Sequence, residues 1–218
     1  MKQERLTRAQ RKEQTRECLL EAARKMFIKK GLAATSVEDI AEAAGYTRGA
    51  FYSNFGGKPE LLIRLLRRDG DRARANLLAI MQEGGTPDEM KERATAYYSQ
   101  SLAEDDCFPL WVEAQLLACR DARFRERINA FRQEKLEQIS AHIRMLSGRN
   151  GRPLPLHAEA LAVGLISLCD GVQVFRMSGA QTVSDKVLQT VLAGFFSSVL
   201  WPQQEESISD NHRPDVPS

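Results

Sequence analysis

From Thr47 to Tyr52 the chain reads Thr-Arg-Gly-Ala-Phe-Tyr, placing one cation, two very small residues and a phenol within a single short segment. Such a run suits close approach to a polyanion better than it suits making or breaking bonds. Arg48 is the only long side chain at its start, Gly49 and Ala50 have little surface to bury, and an outward Tyr52 hydroxyl could reach a phosphate. Catalysis would ask for other constellations. No HExxH, GxSxG or P-loop pattern occurs, and Gly56-Gly57-Lys58-Pro59 lacks the spacing of a phosphate-cradling loop. The four cysteines (Cys18, Cys107, Cys119, Cys169) form no CxxC pair and lie far in sequence from the three histidines, so neither a metal site nor a cofactor is predicted. Reduced, mostly buried thiols are the default reading, with a redox-sensing Cys107–Cys119 pair as the alternative. An all-helical enzyme whose residues converge from distant positions stays open as a competing class.

The elements that must position this run are helices. Leu19, Ala22, Ala23, Met26 and Phe27 repeat on one helical face, and Gly31 suits the left-handed residue that ends such a helix. Before Cys18 there is no apolar stripe, only Lys2, Arg5, Arg8, Arg11 and Lys12, which predicts a flexible basic arm leading into the helix. Ser36 is a good N-cap with Asp39 three residues on, and Val37, Ile40, Ala41 and Ala44 give a short apolar face. Gly45 supplies a turn, Tyr46 can plug the core, and Thr47 can cap the next helix, Arg48 to Phe55, with Phe51 and Phe55 inward against Val37, Ile40 and Leu62. Helix, glycine turn and second helix make a helix-turn-helix, in which the start of the second helix faces base edges of the major groove. Charge agrees with this placement. Residues 1–74 carry 17 Lys/Arg against 10 Asp/Glu, a net +7, whereas the rest carries 14 against 19, a net −5.

Downstream, one long helix starts at Lys58, with Leu61, Leu62, Leu65 and Leu66 inward, and ends near Gly84-Gly85. Pro87 opens a helix that an acidic loop at 104–106 closes, and Pro109 starts a nearly all-apolar helix to Cys119. Glu113 in that helix needs a partner; a nearby arginine or the rim of an interface is the expectation, with a cationic ligand as the alternative, and Asp170 is equally ambiguous. Residues 121–146 should form an outer helix with one buried stripe, and residues 147–155 a loop. Ala160, Gly164, Ser167 and Gly171 make a strip of small residues. A last helix sets Val183, Val187, Val191, Gly194 and Val199 among Leu188, Leu192, Phe195, Phe196 and Trp201. Both are too apolar to leave a bare face, whether the cover is the same chain or another. The longest mostly apolar run, 160–169, is too short for a bilayer, which needs about 20 residues. No apolar region follows the charged N-terminus, so no signal peptide is read and a cytoplasmic protein is expected. The tail, 202–218, is polar, contains prolines and is predicted to be disordered.

With these residues in place, the chain resembles the TetR/AcrR family of bacterial transcriptional regulators: Thr35-Ser36-Val37, Ile40-Ala41, Ala44-Gly45, Gly49, Phe51-Tyr52, Phe55, Lys58 and Leu61 match its pattern over about the first third of the sequence. One departure is Gly57, where the family often has a serine-like cap. The resemblance implies an all-α fold of about nine helices, with a DNA-binding head (1–57), a ligand-binding and dimerisation bundle (58–201) and the tail. It implies that Ser36, Thr47, Tyr52 and Lys58 hold phosphates while Arg48, Gly49 and Ala50 approach bases. Further, it implies a ligand cavity with Tyr97, Phe108, Trp111, Gln115 and Cys119 as candidates, and a homodimer formed through Ala160, Gly164, Ser167, Gly171, Val187, Val191 and Phe195. The function implied is that of a repressor of a palindromic operator, released by a small molecule. An activator or a regulator without a ligand is the alternative.

Overall fold

The computed structural model describes residues 7–104, 107–150, 153–179 and 184–195. Among the described residues there are nine helices and no strand: α1 (Arg8–Ala34), α2 (Val37–Ala43), α3 (Arg48–Tyr52), α4 (Lys58–Gln82), α5 (Pro87–Glu104), α6 (Phe108–Arg120), α7 (Ala122–Asn150), α8 (Ala158–Met177) and α9 (Asp185–Phe195).

Three boundaries differ from expectation; the first is that α3 stops at Tyr52, three residues short of the predicted Phe55. Helix α1 begins at Arg8, ten residues before the apolar stripe, because Thr7 and Gln10 form a reciprocal capping box that satisfies the free amides. Arg8, Arg11 and Lys12 are therefore on a helix, not a flexible arm; Lys2 and Arg5 lie outside the described residues. Helix α7 runs on to Asn150 through the first half of the predicted 147–155 loop. Gly31 does interrupt α1, with φ of 80° and ψ of 162°, and the chain makes one more short turn before α2.

Phe27, Ile40, Phe51, Phe55, Leu61, Leu62 and Leu65 are almost fully buried and join Leu110, Ala114, Phe124 and Ile128 in one apolar cluster. Each buried phenylalanine, leucine or isoleucine among them stabilises the fold by about 1.5–3 kcal/mol. The head's core is thus continuous with the bundle across residue 57, and α1 packs directly on α6. Beyond it, α5, α7, α8 and α9 meet around Met90, Ala94, Leu146 and Leu165, while Ile143, Ala158, Leu161 and Ala162 join α7 to α8. A bidentate Arg67–Glu134 pair, its guanidinium over the Phe131 ring, ties α4 to α7.

Helix α8 corrects another expectation, since all 20 of its residues form a helix long and apolar enough to cross a membrane. Its buried side packs on α7 through Leu161, Ala162 and Leu165 and includes a buried Gln173, so within this fold it is a bundle helix. The proposed thiol pair also fails on geometry. Cys107 precedes α6 and Cys119 lies in its last turn, twelve residues on, about 18 Å along the axis, and a disulfide needs α-carbons within about 7 Å. Cys119 is exposed, Cys107 is buried, and burial pushes the Cys169 thiol up to about 12.

Candidate nucleic-acid interface

Helices α2 and α3 owe their starts to side chains. Ser36 Oγ accepts from the Asp39 amide at 2.9 Å, and the Asp39 carboxylate accepts from the Ser36 amide at 3.0 Å. Aspartate thus completes the capping box that glutamate usually closes. The Ser36 amide and the Ser36 hydroxyl at the carboxylate, with the Lys30 ammonium 3.5 Å away, hold the Asp39 carboxyl below its usual range. Because the folded value is depressed, its contribution is present above the unfolded value of 3.8 and is lost as pH falls through the folded one. Helicity of the head should therefore fall on acidification below about pH 4, and Ser36→Ala should flatten that dependence; circular dichroism at graded pH reads it.

Gly45, at φ of 74°, turns the chain, and the Tyr46 amide closes back on Ala41 O at 2.8 Å. Thr47 Oγ1 then caps α3 by accepting from the Ala50 amide at 3.1 Å. The Thr47 hydroxyl acts there as an acceptor, and a hydroxyl that accepts still has a proton to donate. Helix α3 buries Phe51 completely, against Phe55 at 5.7 Å between ring centres, and leaves Arg48, Gly49 and Tyr52 in solvent. Ala50 is half-buried, and the Asn54 side-chain amide donates to its carbonyl.

Gly49 is informative because the protein itself does not require it. Its backbone is helical, and an added Cβ would meet only Thr47 Oγ1, at an ordinary 3.7 Å. Glycine costs about 1 kcal/mol in a helix relative to alanine. What it leaves is open space on the outer face.

Arg48 pairs with Glu38 of α2 at 2.7 Å and lies over the Tyr52 ring. Both ends of that pair are more than half exposed, so it is worth about 1 kcal/mol at most and is readily exchanged. Lys58 is placed differently from the other six expected residues. Its ammonium donates to Thr35 O at 2.6 Å, Leu32 O at 2.8 Å and Ala33 O at 3.5 Å, which commits all three protons to the end of α1. As arranged here it holds the head to α4. The start of α4 has no side-chain cap at Gly57, as the departure predicted; Glu60 instead accepts from the Gly56 amide.

In the bundle, α4, α5, α6, α7 and α8 line a half-open cavity of about 470 Å³. Tyr97, Phe108 and Trp111 line it as expected, the Tyr97 hydroxyl donating to Ala73 O at 3.0 Å. Gln115 and Cys119 do not: Gln115 accepts from Arg132 on the outer side of α6, and Cys119 is exposed. Several polar residues not singled out from the sequence also line it, beside Asp170, whose role the sequence left open. Asp69 has a buried Oδ2 with no hydrogen-bond partner, Lys135 lies over the Trp111 ring, burial lowers the His142 imidazole so that it is neutral at pH 7, and Asp170 accepts from Trp111 Nε1 at 3.4 Å. Asp69 and Lys135 follow the inward register of their helices, a signal present in the sequence; the approach of α8 is a long-range fact with no local signal.

Of the dimer candidates, Ala160 and Ser167 are exposed, Val187 and Val191 are about half exposed, and Gly171 has open space beside it. Gly164 and Phe195 are a correction. A Cβ on Gly164 would lie 3.6 Å from the Phe195 ring, and Phe195 packs on the chain's own Met90–Leu165 cluster. The outward strip gains Val163, Val174, Phe175 and Met177 instead, all about half exposed. Phe196, Val199 and Trp201 lie outside the described residues, as do Val183 and the tail.

Residues 19–65 match the family model described as bacterial regulatory proteins, tetR family. The chain is 50% identical over 54 residues to the regulator TtgR of Pseudomonas putida, a match covering 25% of this chain and 26% of that protein, so it spans about a quarter of the length of the first curated relatives it matches. Among solved structures it is similar to a TetR-family regulator from Rhodococcus sp., with a TM-score of 0.72 at 20% identity over 86% of this chain and 99% of the other. It is also similar to a transcriptional regulator from Saccharomonospora viridis in complex with choline, with a TM-score of 0.67 at 21% identity over 84% and 96%. These two likenesses concern the fold. Residues 19–65, which contain the helix-turn-helix of residues 36–55, thus form a DNA-binding head of the kind described as bacterial regulatory proteins, tetR family.

Proposed function

We propose that the chain is a homodimeric, DNA-binding transcriptional repressor of the cytoplasm, released from a two-half-site operator when a small molecule fills the bundle cavity. The observation that carries this reading is the outer face of α3, where Arg48 and Tyr52 are exposed on either side of Gly49, a glycine whose Cβ would meet open space. Ser36, Thr47 and Tyr52 are assigned to phosphates, and Arg48, Gly49 and Ala50 to base edges. Residues 1–57 serve as the head and 58–201 as the regulatory bundle, with the tail outside both.

A second copy is the proposed cover for the half-exposed Val163, Val174, Val187 and Val191. Two-fold pairing there would carry two heads to half-sites about 34–36 Å, or a multiple, apart. Release follows from population shift: a ligand lowers DNA affinity only as far as it prefers the arrangement in which the heads leave groove register. The aromatic walls and the unpartnered Asp69 Oδ2 make organic cations the first compounds to test, and choline, held by the Saccharomonospora relative, is the simplest of them.

A mobility shift on the DNA upstream of the chain's own gene, repeated with candidate effectors, tests the reading. A shift that choline or another effector reverses is expected; no shift at low salt on any flanking sequence would contradict it. Arg48→Ala should relax base preference by about 1–3 kcal/mol at one position per half-site, with little change in stability. Competition with point-substituted duplexes measures this, and equal loss on specific and random DNA would remove Arg48 as a base reader.

A further inference from the structure

We propose that Glu113 is a positioning residue: it fixes the angle between head and bundle by holding the Leu32 amide from the helix that walls the cavity. The inference rests on the regulator reading above.

When Gly31 leaves helical geometry, the Leu32 peptide has to find partners outside α1. It is gripped from both sides. Its N–H donates to Glu113 Oε2 of α6 at 2.6 Å, and its carbonyl accepts from Lys58 Nζ of α4 at 2.8 Å. Gly31 is required by this contact on two counts. Its φ of 80° favours glycine, and a Cβ there would come within 2.9 Å of Glu113 Oε1. The partner that the lone carboxylate of α6 demands is thus a backbone amide of the head, not an arginine and not the rim of an interface. An ionised acceptor makes this a charge-assisted bond, about twice as strong as a neutral one.

Trp111 and Glu113 share one helix and are two residues apart, so they project from α6 about 200° apart around its axis. Trp111 faces the cavity, where it packs on Phe131 and donates to Asp170. Glu113 faces the chain that leads into α2. Helix α6 is 13 residues of continuous helix, so a displacement imposed at Trp111 is carried to Glu113 by a rigid body. Since the bond ends on backbone, it redirects the head as a whole and leaves the surface of α3 untouched.

The test compares full-length wild type with Glu113→Gln and Glu113→Ala, using a duplex selected in vitro by the wild-type protein and the same duplex with one half-site scrambled. Amide exchange at Leu32 is followed alongside. In Glu113→Ala, Leu32 exchange should rise about ten- to a hundredfold. Affinity for the two-half-site duplex should fall about tenfold or more, while affinity for the single half-site stays within about twofold. Glu113→Gln, which keeps an uncharged acceptor, should lie between. Equal loss on both duplexes would mean a merely structural role and would overturn the proposal, as would unchanged affinity or unchanged Leu32 exchange. If wild type selects no duplex, the regulator reading is what fails; exchange then decides for the contact, a rise confined to residues 31–36 supporting it and no rise overturning it.

Discussion

Replacing Gly49 with leucine should abolish specific DNA binding while leaving the head as stable as before or slightly more so. Nothing in the protein opposes a Cβ at this position: the backbone is helical, and the nearest atom to it is Thr47 Oγ1 at 3.7 Å. Removing a helical glycine gains about 0.5–1 kcal/mol. The added side chain would stand where base edges must approach. A disturbed position costs about 1–3 kcal/mol, and the proposed dimer would present it twice, so the expected loss is about 2–6 kcal/mol, or roughly thirtyfold to ten-thousandfold. Fluorescence anisotropy on a labelled duplex and thermal denaturation of the same sample read the two effects separately. Undiminished affinity with a bulky residue at position 49 would remove α3 from the interface.

Phe51→Ala should have the opposite signature, losing the head without touching its outer face. Phe51 is completely buried and packs on Phe55 and on the side chains of α1, α2 and α4. Truncating such a ring costs about 3–5 kcal/mol, a large part of the 5–15 kcal/mol that holds a typical domain. The bundle's own clusters around Met90, Ala94, Leu146, Leu161 and Leu165 contain no head residue. The expected result is a protein that keeps the oligomeric state of wild type but has lost about one head's worth of helicity and all specific binding. A variant that unfolds throughout would show instead that the shared core, in which Phe51 and Leu110 belong to one cluster, makes head and bundle a single cooperative unit.

The head was legible in the sequence because its signals are local. Ser36 with Asp39, Gly45, and Thr47 ahead of a small-residue helix each act within four residues, and each is found in its expected role. The start of α1 was not legible by the same means. Its first turns are solvated on every side, so no apolar period marks them, and only the Thr7–Gln10 box gives them away. Helix α7 overran its predicted end because Gly148 has nothing beside it and is tolerated within the helix. In the cavity, the aromatic residues Tyr97, Phe108 and Trp111 were found from their type. Gln115 and Cys119 were misplaced because α6 is apolar nearly all round and its sequence does not say which side faces inward. Glu113 marked itself as needing a partner, but nothing local could identify a backbone amide 81 residues away. Phe195 turned inward for a similar reason, since α5 and α8 supply a pocket for it that its own helix does not announce.

Selection of duplexes from a random library by the full-length protein tests the central claim most directly. The account predicts enrichment of one inverted repeat whose half-sites lie one helical turn, or a multiple, apart, bound by two chains with an affinity that falls steeply with salt. No enrichment at low salt, or enrichment of an asymmetric site bound equally well by the Gly49→Leu variant, would contradict it.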